Sequence, residues 1–228
     1  MLTKKKKLTK KEIKEDKLVE FYYRTQSYIE ENKNKVLMYV GALAVVIVAI
    51  IFFLNYRSSR NEEAGNLLSR VMDLYEQGAY LEAIEGKQGT NLVGLKKIVE
   101  DYGSTENGET AKIYLANAYA FLGQYDKAFG YYEDYGGSND IYKAAALAGQ
   151  AGYYASKGEY EKAAKLFKKA ANVSQINPSR PDYLLKAGIN FMKAGQKDEA
   201  KSLFQIIKDD YKTSTAFAQV DRYFTELN

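Results

Sequence analysis

The sequence predicts an all-α protein, a single transmembrane helix followed by a solenoid of paired helices. Three observations predict it. Val36–Leu54 (VLMYVGALAVVIVAIIFFL) is a run of 19 residues without one charge. Beyond it, a Gly followed five residues later by an Ala occurs four times. Finally, of 228 residues only two are Pro, and there is no Cys, His or Trp. The two Pro and 17 Gly do not suggest disorder, and much of the usual chemistry of active sites is missing.

Charge divides the chain into two unlike parts. Residues 1–35 carry 11 Lys and Arg against 6 Asp and Glu, whereas the rest carry 22 against 23. The excess of positive charge is thus local to a leader. Within it, Lys4–Lys7 with Lys10, Lys11, Lys14 and Lys17 read as a topology signal, with ribosomal RNA or anionic lipid as alternatives. Glu12, Glu15, Asp16 and Glu20 dilute the basic face, so no specific nucleic acid is expected. Ile13, Leu18, Phe21, Tyr22, Tyr28 and Ile29 suggest a short amphipathic helix on the cytoplasmic surface.

As a helix, Val36–Leu54 would be ~28 Å long, close to the hydrocarbon thickness of a bilayer. Tyr39 and Tyr56 sit near its ends, where amphipathic rings prefer the interface. A buried core helix would seldom be apolar on every face. A cleavable signal would have a shorter apolar region and small residues at a cleavage site, and here the run ends in Asn55-Tyr56-Arg57. The reading is a single-pass anchor. Eleven Lys and Arg precede it and only Arg57, Arg60 and Arg70 follow closely, which predicts a cytoplasmic N-terminus and an outer C-terminal domain. The expected organisation is a basic leader at 1–35, a membrane helix at 36–55 and an outer domain at 56–228.

The outer domain repeats. The pairs are Gly78/Ala83, Gly123/Ala128, Gly158/Ala163 and Gly195/Ala200, with successive Ala 45, 35 and 37 residues apart. Tyr132, Phe167 and Phe204 lie four residues after an Ala. Tyr119, Tyr154 and Phe191 lie nine before, with Leu74 in the first unit. Ala116, Ala151 and Gly188 lie twelve before, with Val71 in the first. This is the pattern of a helical hairpin whose first helix ends at a left-handed Gly. Small residues let the paired helices approach and aromatics fill the gaps around them. One hairpin cannot bury its own apolar face, so hairpins stack.

The 45-residue step leaves room for an extra helix, Leu92–Tyr102, with Leu92, Leu95, Val99 and Tyr102 on one face. Asn172–Asp182, with Pro178 and Pro181, reads as a long loop. Thr215–Leu227 carries Phe217, Val220, Phe224 and Leu227 on one side and reads as a capping helix. Most of the 17 Tyr from Tyr56 onward fall at packing positions.

This pattern resembles the tetratricopeptide repeat, well over Glu109–Tyr211 and weakly over Glu62–Lys87, although the usual Trp of the first helix is missing. The layout of leader, anchor and outer repeat domain is also similar to the YfgM-like family of ancillary Sec translocon subunits. The ending NPSRPDYLLKAGINFMKAGQKDEAKSLFQIIKDDYKTS resembles a Bacteroidetes-type version. The resemblance implies a non-catalytic scaffold in the inner membrane with a periplasmic domain, associated with translocon subunits and a PpiD-like chaperone. Nascent polypeptide is a further implied partner. An envelope assembly or structural adaptor unrelated to the translocon is the alternative.

In such solenoids the first helix of each hairpin lines the concave surface. The repeat then implies a partner-binding set of Ile113, Asn117, Phe121, Leu185, Ile189 and Lys193, with Ala148, Gly152 and Ser156 between them. The alternative for each is packing against neighbouring helices. Nothing points to catalysis. Glu133-Asp134, Asp209-Asp210 and Glu62-Glu63 are adjacent carboxylates that point apart on a helix. Ser156-Lys157 lacks the strained turn of a nucleophile. Gly136-Gly137 and Gly103-Ser104 lack phosphate-loop spacing. No cofactor or metal is expected.

Overall fold

A computed structural model describes residues 10–227, and the Lys4–Lys7 run lies outside them. The chain divides into two compact units, one up to Tyr56 and one from Arg57.

α1 spans Lys10–Glu31 and, after Asn32, α2 spans Lys33–Glu76, of which the part up to Tyr56 belongs to the first unit. Leu37–Leu54 are exposed along their whole length. Among the described residues, α2 is the one helix long and apolar enough to cross a membrane. Beyond the apolar run the helix continues through Asn55–Glu63, which contains neither Pro nor Gly and whose polar side chains tolerate a helix in full.

The second unit is a stack of hairpins. The last turns of α2 bury Ala64, Leu68 and Val71, and after the turn at Gly78 the short α3 (Tyr80–Glu85) packs against the two helices that follow it. The inserted helix, α4, spans Leu95–Tyr102 and buries Leu95, Ile98 and Tyr102. Leu92 stays in the preceding loop, which a lone antiparallel bridge between Gly86 and Val93 closes. Three full hairpins follow. They are α5 (Glu106–Phe121) with α6 (Tyr125–Glu133), α7 (Asp140–Ser156) with α8 (Tyr160–Ala171), and α9 (Arg180–Lys193) with α10 (Lys197–Asp210). Then α11 (Thr215–Leu227) packs on α9 and α10 with Ala216 and Val220 buried.

Local chemistry fixes the helix ends. Thr105 caps α5 by accepting from Gly108 N at 3.1 Å. Asn139 caps α7 by accepting from Ile141 N at 2.9 Å. Pro181 sits in the first turn of α9, where its missing N–H costs nothing. Each hairpin then turns the same way. Gly123 has φ 73°, its N–H reaches Ala120 O at 3.0 Å, and Gln124 N reaches Tyr119 O at 2.9 Å. Gly78, Gly158 and Gly195 repeat this with φ of 78°, 80° and 77°. This is a Schellman turn, which an L side chain would strain.

The repeat positions pack as the spacing predicts. Ala83, Ala128, Ala163 and Ala200 are buried, and so are Ala116, Ala151, Val71, Tyr132, Phe167 and Phe204. The core falls into two clusters, one running from Ala64 to Ala146 and one from Ala151 to Val220. In the first, Lys112 is buried and donates to Asp134 O at 2.8 Å and to Glu109 Oε1 at 3.0 Å. Glu109 Oε2 in turn accepts from Gly136 N at 2.9 Å, clamping the link between α6 and α7. Burial pulls the Lys112 pKa down, but the hydrogen bonds and charges of Asp134 and Glu109 carry it above its ordinary value.

Candidate protein-docking surface

The residues that the repeat pattern assigns to a groove divide into two kinds. Ile113 and Leu185 are 2% and 5% exposed and belong to the two different core clusters, so they pack against neighbouring helices. Ile189 is half-buried against the second cluster. Lys193 is exposed, its Nζ 5.1 Å above the Tyr160 ring. Phe121 is 65% exposed and stacks on Tyr80, with centroids 4.7 Å apart and planes at 10°. Asn117 is half-buried, and its Oδ1 accepts from the Tyr132 hydroxyl at 2.5 Å. Ala148 is half-buried, while Gly152 and Ser156 are exposed.

Around Asn117 lies a cluster of Tyr rings that the repeat spacing does not single out. Tyr75 meets Tyr80 at 5.5 Å and Tyr114 at 5.2 Å, edge to face, and Tyr114 meets Tyr142 at 6.2 Å. Burial pushes Tyr75 up to about 12, with the Asn117 side chain partly opposing. Burial also pushes Tyr142 up to about 12 and Tyr132 further still. These hydroxyls therefore stay protonated at neutral pH, and Tyr132 donates its own to Asn117.

Next to this cluster, α5, α6 and α7 leave a recess of about 170 Å³. Tyr125, Phe129, Tyr132 and Tyr153 line it together with Ala120, Ala128, Gly149 and Gly152. None of the lining residues is charged. Phe129 and Tyr153 hold each other at 4.4 Å, and the Tyr153 hydroxyl donates to Asp126 Oδ1 at 2.9 Å. That hydrogen bond, with the Lys157 charge beside it, holds the Asp126 carboxyl below its usual range. The two lining glycines differ. A Cβ on Gly149 would collide with the Tyr132 ring, whereas one on Gly152 would meet nothing within 4 Å.

A larger cleft of about 620 Å³ lies at the turn between α7 and α8 and includes Lys193. Most of its charges are paired, as Lys165–Glu161 at 2.6 Å and Lys162–Glu159 at 3.8 Å, while Lys193 lies over the Tyr160 ring. It offers an open, ion-paired rim, not a shaped apolar surface. Among the described residues, no group of three or more acidic side chains is placed to hold a metal ion.

A family model of the tetratricopeptide repeat matches residues 182–214, which cover α9, α10 and the turn after them. The chain contains a tetratricopeptide repeat. Together with the eleven described helices, the match makes the fold an all-α tetratricopeptide solenoid behind one long apolar helix. Repeats of this class present stacked helices to other proteins, so the chain is a protein–protein interaction scaffold in that general sense. Neither a curated protein nor a solved structure matches the chain.

The signal for the recess is present in the sequence as Gly149-Gln150-Ala151-Gly152. Two Gly in the middle of a helical pattern are unfavourable for a helix, and so call for a local reason.

Proposed function

We propose that the chain is a non-catalytic scaffold, anchored in the inner membrane by Val36–Leu54, whose solenoid docks a polypeptide partner at the recess between α5, α6 and α7. Gly152 carries the reading. A Gly inside a helix costs roughly 0.8–1.0 kcal/mol relative to Ala. At Gly149 packing against Tyr132 accounts for that cost, but at Gly152 no neighbour forbids a side chain. What a side chain there would take away is the open space of an aromatic-walled recess. An apolar side chain of a partner fits such a wall, and the exposed Tyr125 adds a polar edge for its backbone. Asn117 holds the Tyr132 ring that lines it, and Phe121, exposed and stacked on Tyr80, would extend the docking surface toward α3.

Lys and Arg counts on either side of the run favour a cytoplasmic N-terminus and a periplasmic solenoid. The layout favours association with translocon subunits and a PpiD-like chaperone, where the recess would meet a neighbouring subunit or an emerging chain. The test is gentle detergent extraction and mass spectrometry of what accompanies the chain. Translocon subunits are the expected companions, and Gly152→Leu should lose the docked partner while thermal unfolding stays at or above the parent's. Full recovery with Gly152→Leu would remove the recess from the account. Recovery of cell-wall or outer-membrane assembly proteins alone would replace the translocon reading with the adaptor one. Replacing Val36–Leu54 by an unrelated apolar helix separates lateral contact in the membrane, which that swap abolishes, from binding through the repeats.

A further inference from the structure

We propose that α1 lies along the headgroup surface of an anionic leaflet, held by one aromatic face, with Asn32 as the elbow into the span. The proposal rests on the anchor reading of Val36–Leu54. A single residue separates α1 from α2, so a bilayer that takes up Val36 begins within about two helical turns of Glu31.

The side chains of α1 sort by face. Tyr22, Thr25 and Ile29 recur at helical spacing, flanked by Phe21 and Tyr28, and Tyr22, Thr25, Gln26, Ile29 and Glu30 line one shallow groove. Glu20, Arg24, Ser27 and Glu31 repeat the same spacing on the opposite side. On and beside the first face Phe21, Tyr22 and Tyr28 are 69%, 64% and 62% exposed, while Tyr23, edge-on to Tyr22 at 5.7 Å, turns toward the other side. Rings with a polar edge and an apolar body are the residues that favour the membrane interface.

Charge fits the same surface. The first 35 residues carry 11 Lys and Arg against 6 Asp and Glu, and Lys33 and Lys35 follow the elbow directly. Basic residues beside a span are attracted to anionic headgroups. At the elbow, Asn32 donates both its backbone N–H, at 3.0 Å, and its side-chain Nδ2, at 3.1 Å, to the Tyr28 carbonyl. A side chain that shares a backbone acceptor in this way loosens the helix ladder at the point where α1 must turn.

The chain has no Trp, so each single Trp substitution is a lone reporter. Tyr22→Trp and Ser27→Trp place it on opposite faces of α1, and Phe52→Trp places it within the span. The full chain is reconstituted in phosphatidylcholine–phosphatidylglycerol vesicles, with and without bromine near the headgroup end of the acyl chains. Phe52→Trp and Tyr22→Trp should each lose about half their emission to the bromine, and Ser27→Trp should keep its own. An unquenched Phe52→Trp would overturn the anchor reading itself. Quenched Phe52→Trp with unquenched Tyr22→Trp would leave the anchor standing and overturn the surface helix, whose aromatic face then belongs to another protein. Equal quenching of Tyr22→Trp and Ser27→Trp would also overturn it, since α1 would have no preferred face. Omitting phosphatidylglycerol should weaken the Tyr22→Trp signal, and no change would overturn the anionic part of the proposal.

Discussion

The two halves of the solenoid solve the same packing problem with different aromatics. The cluster from Ala64 to Ala146 is built on Tyr, with Tyr102, Tyr119 and Tyr132 buried and Tyr75, Tyr80, Tyr114 and Tyr142 around them. The cluster from Ala151 to Val220 is built on Phe, with Phe167, Phe191 and Phe204 buried. A Phe ring asks only for neighbours, and Phe204 finds Tyr223 at 5.7 Å and Phe224 at 6.0 Å. A buried Tyr must also satisfy a hydroxyl, and Tyr132 ties itself to Asn117 across the hairpin. The Tyr half therefore gains directional hydrogen bonds where the Phe half gains apolar contact. Only the Phe half, over residues 182–214, matches the family model.

The largest effects should come from truncating an aromatic at equivalent positions in the two halves. Phe204 is fully buried, so Phe204→Ala should cost about 3–5 kcal/mol in urea unfolding. Tyr132→Ala should cost a comparable amount and also leave Asn117 Oδ1 without its donor. If Phe204→Ala costs under about 1 kcal/mol, the second cluster is not packed as described.

A smaller effect probes the two glycines that each half places under its aromatic. A Cβ on Gly188 would collide with the Phe204 ring, and one on Gly149 would collide with the Tyr132 ring. Gly188→Ala and Gly149→Ala should each destabilise by about 1–3 kcal/mol, more than offsetting the helix preference for Ala. Gly152→Ala, three residues from Gly149 but facing open space, should instead stabilise by about 0.5–1 kcal/mol. Differential scanning calorimetry on the three variants reads all of this. Equal destabilisation by Gly149→Ala and Gly152→Ala would erase the distinction between a packing glycine and one that keeps a recess open.

What was legible in the sequence follows the same division. Turn chemistry at Gly123, Gly158 and Gly195 and the small residues facing them depend on local sterics, so the spacing places the hairpins within a residue or two. The last helix, Thr215–Leu227, has the bounds its apolar side requires. Side-chain exposure on α5 and α9 was not legible, because it depends on how far each hairpin rotates against the next. Ile113 and Leu185 share a repeat position with Ala148, but the first two are buried and the last is only half-buried. The Tyr cluster was hidden for a related reason. Seventeen Tyr at packing positions give no hint of which hydroxyls find one another across helices that lie apart in sequence.

The finest test of the comparison uses one oxygen atom. Tyr132→Phe keeps the ring and removes the donor to Asn117, and should cost about 1 kcal/mol at neutral pH. Its pH dependence is more telling than its size. Burial raises Tyr75 to about 12 and Tyr132 higher, against an ordinary value of 10.0. The folded state therefore holds these protons after the unfolded chain has released them. Stability from them is complete below pH 10 and falls as pH rises through the interval toward the folded values. Tyr132→Phe removes one such group, so its stability should fall less steeply above pH 10. Lys side chains titrate in the same range in both proteins and cancel in the difference. The gap between parent and variant should therefore narrow as pH climbs from 10 in paired urea titrations, while Phe204→Leu, in the other half, should keep a constant gap. A gap that stays constant for Tyr132→Phe would mean that its hydroxyl reaches water, and that the two cores differ only in the name of the ring.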